Sequence, residues 1–117
     1  MGEKQTLGRI AEEEAQRFLE GAGFAVLARN WRHRDGELDL VVENGTERVF
    51  VEVKSRKTNR GPSPTRNLSM RQKERIFAAA RQYLERHPSC GSIRFDVVSY
   101  IHETGKLEHF PDAFWPR

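Results

Sequence analysis

Three residues stand out in the stretch GELDLVVENGTERVFVEVKSR at 36–56: Asp39, Glu52 and Lys54, set among valines and leucines. Two carboxylates held close together repel, and one takes up a proton unless a cation intervenes. A hard divalent cation such as Mg²⁺ binds one or two carboxylates together with substrate phosphate. An ammonium two residues beyond Glu52 is then available to a phosphate oxygen or to an attacking water. Charge neutralisation at phosphorus and activation of water are what phosphodiester hydrolysis requires. The bland alternative is an amphipathic hairpin whose acids and lysine form surface ion pairs worth about 0–1 kcal/mol each.

The chemistry depends on the strands that carry these groups. Leu38, Leu40 and Val42 alternate with Glu37, Asp39 and Val41, and Val49, Val51 and Val53 alternate with Phe50, Glu52 and Lys54. Two such runs joined through Asn44-Gly45 predict a β-hairpin. Asp39 and Glu52 share a face only if paired residue numbers sum to an odd value. A two-residue turn pairs 43 with 46 and sets Asp39 opposite Phe50. A four-residue loop pairs 43 with 48 and sets it opposite Glu52. An even sum would drive carboxylates into the apolar layer, which burial opposes. Leu38, Leu40, Val42, Val49, Val51 and Val53 are thus expected on the other face. Val41 and Phe50 leave the carboxylate face half covered.

Around the hairpin, residues 6–22 predict a helix with Thr6 as N-cap and an apolar stripe of Leu7, Ile10, Ala11, Ala15, Phe18, Leu19 and Ala22. Gly23 ends it, 24–31 suit a strand, and RHRDG a turn. Residues 55–68, with two prolines and no periodicity, predict a mobile basic loop. Ser69 with Gln72 forms a capping-box pattern opening a second helix, with Ile76, Phe77, Ala80, Tyr83 and Leu84 inward and Pro88 and Gly91 beyond its end. SIRFDVVSYI (92–101) is a further strand, Thr104-Gly105 a turn, KLEHF a short last strand, and the tail packs Phe114 and Trp115 on the core. Helices alternating with strands in this order favour a mixed sheet flanked by helices, with 92–101 parallel to one hairpin strand.

Length and composition bound the rest. The 117 residues fit one domain, 1–117, with one core. No apolar run approaches the roughly 18–20 residues of a membrane span, and acidic residues near the N-terminus occupy the place of a signal peptide's apolar core. Cys90 is the only cysteine, which excludes an internal disulfide and suits a reducing cytoplasm. The histidines show no zinc spacing. Net charge is +3, but Lys54–Arg75 holds eight basic residues and one acid, so this segment carries +7 and the remainder −4. Such a block suits a polyanion better than a membrane.

Asp39, twelve intervening residues and Glu52-Val53-Lys54 on a hairpin resemble the PD-(D/E)xK core of the restriction-endonuclease-like fold, with Leu38 standing where that pattern usually has proline. Along nearly its whole length the chain is similar to the small YraN-like bacterial proteins related to archaeal Holliday-junction resolvases. The matching residues are Gly8, Glu12, Ala15 and Leu19, then Arg29-Asn30, GELDL at 36–40, VFVEVKSR at 49–56, RFDVV at 94–98 and DAF at 112–114. This resemblance implies a three-layer αβα fold with a central mixed sheet in the order αβββαβ and a further short strand. It also implies a third acid from the first helix. Alignment selects Glu12, at the margin of the apolar stripe, with Glu14 as runner-up. Gln72 stands where the family often carries a lysine, with Lys73 next to it.

These readings assign Asp39 and Glu52 to Mg²⁺ or Mn²⁺, with the Val53 carbonyl as a further ligand and Glu12 acting through water. Lys54 orients or activates the nucleophilic water. Arg56, Lys57, Arg60 and Arg66 of the loop, and Arg71, Lys73 and Arg75 of the second helix, contact DNA phosphates without reading sequence. Glu37 either supports the site or pairs with Arg34 or Arg56. The expected activity is endonuclease-like, directed at branched or otherwise structured DNA, for which a homodimer matches a two-fold junction. Two other functions fit the same residues: a nucleic-acid-binding module that cleaves nothing, and an interaction domain of a DNA-processing complex.

Overall fold

The structure, a computed structural model, describes residues 2–89 and 91–116, so Cys90 lies outside the described residues. The elements are α1 (Glu3–Gly21), β1 (Ala25–His33), β2 (Gly36–Glu43), β3 (Glu47–Arg56), α2 (Met70–Arg86), β4 (Ser92–Ile101) and β5 (Lys106–Phe110). The five strands form one mixed sheet in the order β1-β2-β3-β4-β5. Only β3 and β4 run parallel; the other neighbours are antiparallel. With a helix on each face this is a three-layer αβα architecture in the order αβββαββ.

The hairpin adopts the register of the four-residue loop, pairing Glu43 with Arg48 and Leu40 with Val51. Asn44 fixes the loop: its side-chain oxygen accepts from the backbone N–H of Thr46 at 3.1 Å and of Glu47 at 2.9 Å, while Gly45 takes a φ of +98°. Leu40, Val42, Val49 and Val51 pack with Ala15 and Leu19 under α1. Leu38 does not join them. It groups with Val41, Phe50, Ile76, Ala80, Tyr83 and Phe95 under α2, so β2 changes the face it presents between Leu38 and Leu40. Val41 and Phe50 are fully buried under α2, whereas Asp39, Glu52 and Lys54 beside them keep part of their surface exposed.

Local chemistry accounts for both helices. Ser69 and Gln72 form the complete capping box of α2, with Gln72 N–H donating to Ser69 Oγ at 3.1 Å and Ser69 N–H to Gln72 Oε1 at 2.8 Å. At the other end of α2, buried Arg48 donates to the His87 carbonyl and pairs with Glu43 at 2.9 Å. In α1 the expected N-cap is displaced: the helix starts at Glu3 after Gly2, and Thr6 lies inside it. Its buried line is Ala11, Ala15 and Leu19, whereas Phe18 is 41% exposed and Ala22 is exposed as well. The connection between β3 and α2 is pinned by buried Pro64 and Leu68. Of the tail aromatics, Phe114 is buried and Trp115 stays half exposed against the edge of Phe95.

Asp96 on β4 is fully buried and satisfied from four directions. It accepts from Arg94 Nε and Nη2 at 2.8 Å, from His109 Nε2 at 2.7 Å and from the Asp112 N–H at 2.9 Å. These bonds tie β5 and the tail to the centre of the sheet, and with the Arg94 guanidinium they hold the Asp96 carboxyl below its ordinary range against the cost of burial.

One close approach docks α2 on β2. A Cβ added at Gly36 would lie 1.9 Å from the Arg75 carbonyl oxygen, whereas one added at Gly8, inside α1, meets nothing within 4 Å. Gly36→Ala is therefore expected to lower the unfolding free energy by about 1–3 kcal/mol. Gly8→Ala should raise it by roughly 0.5–1 kcal/mol through helix propensity. Urea unfolding checks the pair, and coincident midpoints for Gly36→Ala and the unaltered chain would contradict this docking.

Candidate active site

The β2–β3 ladder ends at Leu40↔Val51. Continued by one step, its register would set Asp39 opposite Glu52, but the strands part there and a side chain takes over the bonding. Asp39 Oδ2 accepts the Val53 backbone N–H at 2.8 Å. In an extended strand the N–H and C=O of one residue point to the same side, so the Val53 carbonyl also faces the gap. Asp39 and Glu52 lie close enough for a side-chain hydrogen bond when one of them carries a proton. Lys54 Nζ lies 3.9 Å from Glu52 Oε2, and the two side chains are 17% and 18% exposed.

Electrostatics decides the state of this pair. Burial first, and then the charge of Asp39, push the Glu52 carboxyl up to about 9. Burial also raises Asp39, against the opposing hydrogen bonds from Glu52 and the Val53 N–H. The pair therefore keeps one proton at neutral pH, donated by Glu52 to Asp39. Glu12 on α1 is half buried and also raised, by burial and then by the Asp39 charge, while a hydrogen bond from Asn30 acts the other way. Glu14 is turned elsewhere: it pairs with Arg17 at 3.4 Å and lines a cleft with Phe18, Tyr100 and Leu107. The α1 core line through Ala11, Ala15 and Leu19 lies closer to Glu12 than to Glu14 around the helix.

Among the described residues no three His, Cys, Asp or Glu side chains stand together as a ready cation site. The convergent acids are Asp39 and Glu52; Glu12 does not join them directly. Two carboxyl groups, one carrying a proton that a cation displaces, beside a strand carbonyl form a hard-oxygen donor set suited to Mg²⁺ or Mn²⁺ completed by water and phosphate. On the α2 side a cavity of about 80 Å³ is lined by Glu37, Glu52, Gln72, Arg75 and Ile76. It has room for a few waters at roughly 30 Å³ each, but not for a nucleotide.

The basic residues separate by place. Arg75 lines this cavity with Glu52, whereas Arg71 is exposed on the first turn of α2 and Lys73 is partly covered. Arg56 donates to the Arg60 carbonyl at 2.7 Å, Lys57 pairs with Glu3 at 3.8 Å, and Arg60 and Arg66 are exposed. Glu37 pairs with Arg32 at 3.4 Å rather than with Arg34 or Arg56, because the β1–β2 register sets those two residues opposite each other. Two further residues belong to the neighbourhood. Ser99 is fully buried, lies beside Lys54 in the parallel register, and its hydroxyl has no protein partner among the described residues. Asn30 stands across from Asp39, since β1 pairs Arg29 with Leu40 and Trp31 with Leu38. Asn is depleted in strands, and its presence between Arg29 and Trp31 was the available signal; Ser99 gave none.

The raised Glu52 carboxyl makes stability fall with pH. The folded chain holds a proton that the unfolded chain releases near pH 4.3. The contribution is thus fully present below that value and is lost as pH rises toward about 9. Between pH 5.5 and 8 the unaltered chain should lose on the order of 2–3 kcal/mol relative to Glu52→Gln, seen as a diverging Tm. Mn²⁺ added at the higher pH should restore part of the loss. Parallel Tm-against-pH curves for the two chains would contradict the shared proton.

A family model described as "Uncharacterised protein family UPF0102" matches residues 11–100. Among similar proteins, a UPF0102 protein of Frankia alni is 46% identical over 97% of this chain and 98% of its own. A UPF0102 protein of Myxococcus xanthus is 40% identical over 96% and 91%, and one of Pelotomaculum thermopropionicum 40% identical over 95% and 97%. With matches of this extent, and with the GELDL and VFVEVKSR segments inside the matched region, the chain belongs to the UPF0102 family.

Proposed function

We propose that this protein is a divalent-cation-dependent endonuclease acting on DNA, with branched or otherwise structured DNA as substrate. The observation that carries this reading is the largely buried Asp39–Glu52 carboxyl pair, with Lys54 beside it, at the point where β2 and β3 part. The resemblance to PD-(D/E)xK nucleases and to junction resolvases supports it. A divalent cation bound there supplies positive charge against phosphate oxygens and acidity for water.

The chain's own groups do the remaining work. Asp39, oriented by the Val53 N–H, and Glu52 would hold the cation by their oxygens once the shared proton had left. Lys54, 3.9 Å from Glu52, would steer a phosphate oxygen or the attacking water. Arg75 offers a second positive group at the neighbouring cavity. Arg56, Lys57, Arg60, Arg66, Arg71 and Lys73 extend the positive surface toward flanking phosphates, an attraction that positions DNA without reading bases. A substrate with two-fold symmetry would be met by a homodimer, and such DNA is encountered in the cytoplasm of a bacterium.

One observation favours a second reading, a nucleic-acid-binding module without turnover: the carboxyl pair is satisfied by its own proton and needs no cation to persist. Incubation of junction, flap, duplex and single-stranded DNA with Mn²⁺ separates the two. The nuclease reading expects nicked products from the unaltered chain and a loss of about 10²-fold or more in Asp39→Ala and Lys54→Ala, with DNA affinity retained. It also expects Arg60→Ala and Arg66→Ala to weaken binding and flatten its salt dependence by about one unit per lost phosphate contact. Salt-sensitive binding without products from any substrate would establish the second reading. Binding no better than that of a charge-matched control would reject both in favour of an interaction domain.

A further inference from the structure

Asn30 takes a φ of +48° in the interior of β1, in the left-handed region, where a residue other than glycine carries strain. Both strands around it change face. Ala28 and Trp31, three residues apart, pack in the same cluster under α2, and β2 turns over between Leu38 and Leu40, their register neighbourhood. The turnover sets Asn30 across from Asp39. On the α1 side, Asn30 lines a cavity of about 170 Å³ with Arg9, Glu12, Glu13, Arg29 and Leu40, which sets its side-chain amide beside the Glu12 carboxylate, whose charge it favours. Asn30 is exposed and contributes little to either core. Packing therefore does not explain a strained asparagine here.

We infer that Asn30 is a positioning residue of the acid site: its left-handed backbone aims the side-chain amide at α1, where it holds the Glu12 carboxylate in line with Asp39. This rests on the reading of Asp39 and Glu52 as cation ligands and gives Glu12 its place in that reading, as an outer acid held by the protein rather than a third direct ligand. Groups one step removed from a metal's ligands typically change affinity by about 10–100-fold when removed.

The test separates the amide from the backbone. Asn30→Gly keeps the left-handed conformation without strain and removes only the side chain. Mn²⁺ binding by calorimetry, with Tm measured alongside, is expected to weaken about tenfold in Asn30→Gly while Tm is unchanged or higher. Glu12→Ala should show a similar loss, and Asn30→Gly added to Glu12→Ala should cause none beyond it, because Asn30 acts through Glu12. Unaltered affinity in Asn30→Gly, or a second tenfold loss in the Glu12→Ala background, would overturn the proposal. If the unaltered chain binds no Mn²⁺, the cation reading fails and takes the positioning role with it. The Asn30–Glu12 contact is judged separately, from the Asn30 side-chain amide NMR signals, which Glu12→Ala must shift.

Discussion

Two carboxyl groups resist being charged together in the gap where β2 parts from β3 unless a cation joins them. Asp39 has replaced a strand partner there, taking the Val53 N–H that no backbone carbonyl reaches. Glu52 is largely buried beside it, and the Lys54 ammonium at 3.9 Å is too distant for a strong hydrogen bond. Removing an ion from water costs several kcal/mol even after relaxation, so the pair retains a proton instead. That arrangement is stable without a cation. The same oxygens, freed of the proton, present two negative charges to any cation small enough to enter. Stability at this point, and any affinity for such a cation, are set by one equilibrium.

The rest of the molecule holds that gap open and furnished. Covering both faces of the sheet is what gives the site two sides. Under α1 the small residues Ala11 and Ala15 let the helix lie close to the strands, which brings Glu12 within range of Asp39. Under α2 the absence of a side chain at Gly36 lets the helix backbone approach β2, which brings Gln72 and Arg75 beside Glu52. The capping box starts α2 at a fixed residue, and Arg48 holds its far end to β3. Asp96, with Arg94 and His109, secures β4 and β5, so the parallel β3–β4 pair supports the strand that carries Glu52 and Lys54.

Much of this was legible in the sequence, for a physical reason. The hairpin register could be restricted to odd sums because any even sum buries carboxylates among valines. The Ser69–Gln72 spacing marked the start of α2 because capping is local. What could not be read depended on breaks in periodicity. Alternation assumes an unbroken strand, so Leu38 was assigned to the layer of Leu40; nothing in the local pattern announced the irregularity between Val26 and Ala28, and only the asparagine's own type hinted at the left-handed turn at Asn30. Phe18 was assigned inward on helical spacing alone, whereas the sheet meets α1 along its small residues and leaves Phe18 against the edge of His109. Thr6 looked like a cap because the three helical residues before it lack apolar character. Buried Arg48 was invisible because its partners, Glu43 and the His87 carbonyl, come from the far end of the hairpin and from the end of α2.

The central claim, one proton shared by Asp39 and Glu52, can be observed on the carboxyl groups themselves. A pH titration of the side-chain carboxyl ¹³C signals in the cation-free chain should find Glu52 still protonated at pH 7, its transition displaced upward toward about 9 and coupled to that of Asp39. Replacing Asp39 by Asn should move the Glu52 transition back down. An ordinary Glu52 transition near pH 4, unaffected by that replacement, would contradict the account.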